Sequence, residues 1–152
     1  MPSKAQSLEP CAFCNIIEGT EPSYKIYETD YVVGFLDIQP ARRGHVLIIP
    51  KVHIELFSQL PEKYAAALGD ALVKVSKALT LALDNQALTV TLNQVYAQVV
   101  PHAHFHIVPA PDFRSTSTSA RVGNNKVEVF PGRHQLDDDD AIEVAKMIKS
   151  RL

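Results

Sequence analysis

The chain has 152 residues, 46% of them hydrophobic and 21% charged, the size of about one domain with material for a core, which excludes global disorder and a fibrous architecture. Lys and Arg total 15 against 17 for Asp and Glu, a net charge of -2, so bulk charge gives no grip on nucleic acid or an anionic membrane, and a phosphate-bearing ligand has to be held locally. No stretch approaches the roughly 20 apolar residues of a membrane helix, and the opening Met1-Pro2-Ser3-Lys4 lacks the apolar core of a signal peptide, which predicts an intracellular, cytoplasmic protein with the nucleus also open to it.

Residues 1–10 are polar, carry Pro2 and Pro10, and read as a flexible arm ahead of a single domain over residues 11–152. The only cysteines are Cys11 and Cys14; in a reducing compartment such a pair is a metal site or a redox couple more often than a structural disulfide, and the pair alone does not choose. Residues 25–28 and 31–36 flank the polar Thr29-Asp30 and predict a β-hairpin. Pro40-Ala41-Arg42-Arg43-Gly44 interrupts, and His45-Val46-Leu47-Ile48-Ile49, ended by Pro50, predicts a central strand. Apolar residues then recur at Tyr64, Leu68, Leu72, Val75, Leu79 and Leu83, the spacing of an amphipathic helix over residues 61–84, with Pro61 suited to its first turn.

Residues 88–92 and 102–108 alternate as strands do. The sum is an α+β domain: a five-stranded sheet with one long helix, its early strands antiparallel because their connections are too short for a parallel crossover. Beyond Pro109 the segment from about residue 110 is variable in character: Ser115-Thr116-Ser117-Thr118-Ser119 reads as a mobile loop. Asp137 to Asp140 precede Ala141, Ala145, Ile148 and Leu152 at helical spacing, so the acidic run caps a C-terminal helix rather than forming a binding tail.

His102, His104 and His106 occupy alternate positions of the last strand, which puts them on one face, neighbours roughly 6 to 7 Å apart. Burying imidazoles on a core face without a task leaves ring nitrogens that need partners, so a functional trio is the better reading. Two chemistries suit it: a catalytic metal held by three histidines, or a phosphoryl group attacked by one imidazole with its neighbours as proton donors. Spacing alone does not choose between them.

His102-Ala103-His104-Phe105-His106-Ile107-Val108 resembles the histidine triad signature, in which histidines alternate with apolar residues, and Gln98-Val99-Val100-Pro101 resembles the approach to it. Gly44-His45-Val46-Leu47-Ile48-Ile49-Pro50-Lys51 and Phe35-Leu36-Asp37-Ile38 resemble two further blocks of the same family, in the same order and at matching distances. The resemblance spans about Cys11 to Pro109 and implies a histidine triad fold and a nucleotidyl hydrolase or transferase of the nucleotide-binding branch.

By that resemblance His104 is the nucleophile, forming a nucleotidyl-histidine intermediate on the α-phosphorus of a purine nucleotide such as AMP. His106 contacts the α-phosphate, and His45 completes the polar shell. Asp37 accepts from the ribose hydroxyls, Phe13, Ile16, Phe35, Leu36 and Ile38 wall the base, and Asn93 and Gln98 supply amide contacts. Two departures stand out: Val99 occupies the place of a phosphate-binding Ser or Thr, and the loop before Gln98 is short and lacks glycine.

His53 and His102 stand where zinc-bearing members of the family complete a ligand set with Cys11 and Cys14, which implies one structural zinc per chain in a closed tetrahedral site. The resemblance also implies a homodimer packed near the long helix. The expected activity is hydrolysis of an adenosine phosphoramidate. The alternatives are dinucleotide polyphosphate hydrolysis, nucleotide sensing with vestigial turnover, and a zinc enzyme using all three triad histidines as ligands.

Overall fold

The computed structural model describes residues 11–111 and 135–152; the arm expected at residues 1–10 and the serine and threonine run at residues 115–119 lie outside them. In chain order the elements are α1 (Ala12–Glu18), β1 (Lys25–Glu28), β2 (Val32–Leu36), β3 (Val46–Pro50), a 3-10 turn (Phe57–Gln59), α2 (Glu62–Leu83), β4 (Leu88–Leu92), β5 (Phe105–Pro109) and α3 (Asp138–Lys149). The strands form one sheet in the order β1-β2-β3-β5-β4, and every neighbouring pair is antiparallel. This is the expected α+β architecture.

The hairpin turn closes through Thr29, whose hydroxyl accepts from the Tyr31 and Val32 amides at 3.2 and 3.1 Å; short polar side chains do this readily. Side chains alternate across the sheet, so it has two buried faces. Ile26, Val32, Leu36, Val46, Ile48 and Ile107 meet α2 and α3 in the larger cluster, while Val33, Phe35, Leu47 and Ile49 meet α1 in the smaller. On α2, Ala71 and Ala78 are fully buried beside Leu68, Val75 and Leu79, and these small residues let the helix approach the sheet closely.

Gly44 fixes how the chain enters β3. Its φ is +87°, and a Cβ there would lie 2.7 Å from Leu83 Cδ1 and 3.2 Å from Leu79 Cδ1, so both the conformation and the space favour glycine. Asp137 caps α3, its carboxylate accepting from the Asp140 amide at 2.9 Å, as the acidic run predicts.

One element is added to the expected set and one expectation is corrected. A helix, α1, follows directly on Cys11, whose sulfur caps it at the Cys14 amide and whose C-terminus closes at Gly19 with φ 79°. The last strand begins at Phe105, not His102: β3 pairs with β5 only through Val46, Leu47 and Ile48. Before that point Ala103 donates to the Ile54 carbonyl at 2.6 Å, because residues 101–104 turn toward the segment after β3 instead of continuing along it. Pro50 is tolerated at the end of β3 for the same reason, since it pairs with Val32 alone.

Candidate active site

The site lies on the α1 face of the sheet, at the ends of β2, β3 and β5. His104 and His106 are 6% and 9% exposed and His45 is 1% exposed, so their ring nitrogens are set by protein partners. The Ala41 amide donates to His45 Nδ1 at 3.0 Å, which makes that nitrogen an acceptor and puts the proton of the neutral ring on Nε2. His45 Nε2 lies 2.9 Å from His106 Nδ1 and 3.4 Å from Asp37 Oδ2. His106 Nδ1 is therefore the acceptor, and the His106 proton sits on Nε2.

His104 is fixed the opposite way round. Its Nδ1–H donates to the backbone carbonyl of His102 at 2.6 Å, which leaves Nε2 as the nitrogen that carries the lone pair. The His104 and His106 ring centroids are 5.0 Å apart, and Phe13 packs edge-on against His104 at 5.1 Å. The pair thus presents a basic imidazole nitrogen next to an N–H donor, a combination suited to attack on phosphorus with stabilisation of the developing charge.

His102 faces elsewhere. Fully buried, it donates from Nε2 to the Pro50 carbonyl at 2.8 Å and turns Nδ1 toward Cys11 Sγ at 3.6 Å and Cys14 Sγ at 3.7 Å. Cys14 Sγ is 3.3 Å from His53 Nδ1, and the four ligand atoms all lie within 4.8 Å of one another. Bond lengths of about 2.3 Å to sulfur and 2.05 Å to nitrogen at the tetrahedral angle give sulfur–nitrogen edges of about 3.5 Å, so this donor set fits zinc. Burial pulls the His102 pKa down to about 4, which keeps its ring neutral, and burial together with the Cys11 thiol pushes Cys14 up to about 11. A cation is what would relieve that pair as thiolates.

Among the described residues, no candidate metal group contains all three triad histidines: His102 joins the cysteines, while His106 joins Asp37 and His45. The zinc-enzyme alternative with three histidine ligands on one metal is not supported. In the second group the separation of 2.9 Å between His45 Nε2 and His106 Nδ1 is a hydrogen bond, which occupies the nitrogens a metal would need.

The HIT domain model matches residues 18–112. The chain belongs to the HIT family. Adenosine 5'-monophosphoramidase HNT1 of Candida albicans is 40% identical over 108 residues, covering 67% of this chain and 71% of that protein. A HIT-like protein involved in cell-cycle regulation from Bartonella henselae superposes with a TM-score of 0.74 at 28% identity, over 93% of this chain and 96% of that one. A zinc-bound histidine triad family protein from Mycobacterium smegmatis gives 0.71 at 27% identity, over 93% and 91%.

As a HIT protein the chain distributes the remaining expected residues unevenly. Phe13, Ile16 and Phe35 share the smaller core cluster, with Phe13 and Phe35 edge to face at 5.6 Å, and Ile38 is 62% exposed beside Asp37. Leu36 packs in the other cluster, under α2 and α3, because consecutive strand residues point to opposite faces. Leu47 shares the α1 face with Phe13, Ile16 and Phe35, as alternation from His45 along the strand requires. Gln98 uses its amide within the loop, accepting from the Val95 amide at 2.8 Å and donating to the Glu55 carbonyl at 3.0 Å. Val99 is 92% exposed, and Asn93 is half-buried directly after β4.

Proposed function

We propose that the protein hydrolyses adenosine 5'-phosphoramidates through a nucleotidyl-histidine intermediate on His104. The observation that carries this reading is the opposed pair of tautomers: Nε2 unprotonated on His104, Nε2–H on His106. In the first step the His104 Nε2 lone pair attacks the α-phosphorus, and the P–N bond breaks with its electrons going to the nitrogen, which takes a proton from solvent and leaves as an amine; the attacking water of the second step returns a proton to solvent. His106 donates to the phosphoryl oxygen as its charge grows. Water then attacks phosphorus, the bond to His104 breaks, and AMP departs. Asp37 accepts from the ribose hydroxyls, and Phe13, Ile16, Phe35, Leu47 and Ile38 flank the base.

Zinc is the metal we assign to Cys11, Cys14, His53 and His102, as a structural tie between α1 and the triad; four protein donors keep no position open for water. Free thiols at Cys11 and Cys14 suit a reducing, intracellular setting, and no helix among the described residues is long and apolar enough to cross a membrane. A homodimer accounts for the exposed Val73 and Leu81 on α2 and Val90 on the edge strand β4, apolar residues that a two-fold interface would cover. Sedimentation showing only a 16.8 kDa species at micromolar concentration would refute the dimer.

The decisive experiment compares wild type with His104→Ala on adenosine phosphoramidates and diadenosine polyphosphates. Turnover of the phosphoramidate by wild type is expected to fall by about 10⁴-fold or more in the variant while AMP still binds, because the nucleophile acts mainly in the transition state. Faster turnover of dinucleotide polyphosphates would transfer the assignment to that class. Wild-type rates in His104→Ala would end the mechanism.

A further inference from the structure

The loop of residues 37–45 carries Asp37, Ile38 and His45, and it is closed at its base by the Asp37 amide donating to the His45 carbonyl at 2.9 Å. Inside it the Gln39 amide donates to Asp37 Oδ1 at 2.8 Å, and the Ala41 amide to His45 Nδ1 at 3.0 Å. The loop therefore determines both where the Asp37 carboxylate points and which nitrogen of His45 holds the proton. Little in its own sequence makes it rigid apart from Pro40.

Two polar contacts reach it from the C-terminal segment, which lies beyond the span matched by the family model, residues 18–112. Arg43 makes a forked pair with Asp140 in the first turn of α3: Nε reaches Oδ1 at 2.9 Å and Oδ2 at 3.1 Å, and Nη2 reaches Oδ1 at 2.8 Å. The fork shifts the Arg43 pKa upward, its largest cause being the hydrogen bond to Asp140. At the other side of the loop the Leu136 amide donates to the Ile38 carbonyl at 3.0 Å. Between these two tethers runs a small cleft lined by Asp37, Pro40, His45, Leu136, Asp140 and Val144. Meanwhile α3 itself is anchored by Ala141, Val144, Ala145 and Ile148, all buried in the core shared with α2.

We propose that the C-terminal segment is a working part of the nucleotide site, in which the Arg43–Asp140 fork and the Leu136–Ile38 hydrogen bond are positioning contacts that hold the 37–45 loop on the anchored helix α3. The proposal rests on the reading of Asp37, Ile38 and His45 as nucleotide-site residues. A guanidinium–carboxylate fork fixes orientation as well as distance, and small displacements of substrate-positioning groups are costly. The role is specific to the pair: Glu143 lies 4.0 Å from Arg43 Nη2 as a single, more exposed contact.

The test uses the full chain in five forms: wild type, Arg43→Ala, Asp140→Ala, the exchanged pair Arg43→Asp with Asp140→Arg, and Glu143→Ala. Calorimetry with AMP well below the melting temperature, hydrogen exchange at the Ala41 and Gln39 amides, and melting temperature are measured on each; Arg43→Lys, which keeps the charge without the fork, replaces Arg43→Ala if that variant does not fold. Both single variants are expected to bind AMP about three- to tenfold more weakly, a range discounted for the exposure of the pair, and to exchange faster at both amides. The exchanged pair should recover most of the loss, and Glu143→Ala should match wild type. A lower melting temperature with unchanged AMP affinity and unchanged exchange would overturn the proposal, since a purely structural pair would behave that way. If wild type itself does not bind AMP, the nucleotide reading fails separately; the clamp is then judged on amide exchange, which refutes it if Arg43→Ala protects Ala41 and Gln39 as wild type does.

Discussion

Replacing His45 by Phe keeps a ring of similar shape in a site that is 1% exposed and removes two hydrogen bonds, the one from the Ala41 amide at 3.0 Å and the one to His106 at 2.9 Å. His106 then has two options. It can keep its proton on Nε2, leaving Nδ1 buried without a donor at a cost of about 1–3 kcal/mol. Or it can move the proton to Nδ1 and lose the N–H that faces the phosphoryl oxygen, a contact worth about 2.7–4 kcal/mol in comparable sites. Where the resting ring moves its proton to Nδ1, the transition state pays the smaller of the two costs, returning the proton or forgoing the contact, so kcat for an adenosine phosphoramidate should fall roughly 5- to 150-fold, the range that 1–3 kcal/mol implies. His106→Ala, which deletes the donor, should fall about 10²- to 10³-fold. The Ala41 amide, left without its acceptor, also costs about 1–3 kcal/mol of stability, so rates are to be taken well below the melting temperature. His45→Gln, whose amide retains both a donor and an acceptor, should recover part of the rate. The readout is kcat under saturation together with the ¹⁵N signature of the His106 tautomer. If His45→Phe turns over within twofold of wild type and His106 keeps its proton on Nε2, the relay from Ala41 through His45 has no catalytic role.

Metal analysis of purified protein should find about one zinc per chain, and Cys11→Ser with Cys14→Ser should remove it and lower thermal stability, by less than the roughly 10 kcal/mol of a zinc finger because this domain has its own core; full occupancy in the double variant would sink the site. Gly44→Ala has to adopt φ +87° and bring its Cβ within 2.7 Å of Leu83 Cδ1, so a loss of about 2–4 kcal/mol is expected from strain plus overpacking, read as a shift in denaturant midpoint. A loss below about 0.5 kcal/mol would mean that the loop entry is less constrained than its geometry implies.

Hydrophobic periodicity made most of the framework legible, because it reports which side of an element is buried. The stripe on α2 and the alternation in β4 are long enough that residues 61–84 and 88–92 were bounded to within one residue of Glu62–Leu83 and Leu88–Leu92. Helix α1 escaped because seven residues do not complete two turns, although Cys11 as a cap and Gly19 at the C-terminus are its local signals. The triad spacing brings out three histidines that the structure buries close together, but the geometry it implies holds only in part. Period two was read as one continuous strand face, whereas Phe105 begins the strand and His102 and His104 are placed by contacts with residues 50–54 and with their own backbone. Such long-range hydrogen bonds leave no trace in a periodicity. Leu36 sits between Phe35 and Asp37 in sequence, and the pleat sends its side chain to the other face of the sheet.

Three identical side chains spaced two residues apart do three different things here, and the difference lies in one partner atom each. His102 donates from Nε2 to a carbonyl at 2.8 Å, so its Nδ1 is the nitrogen offered to the thiols. His104 donates from Nδ1 to a carbonyl at 2.6 Å, so its Nε2 is the basic one. His106 accepts at Nδ1 from another imidazole at 2.9 Å, so its Nε2 becomes a donor. Two of these assignments meet in His102, whose ring belongs to the cysteine cluster and whose carbonyl orients His104. The cluster and the proposed nucleophile therefore share a residue: a backbone shift at His102 that disturbed its ring's place among the cysteines would also move the carbonyl holding His104 Nδ1–H. On the proposed reading, a metal held by these four donors would serve the chemistry by keeping a backbone carbonyl still, which a closed, water-free coordination shell suits better than an open one.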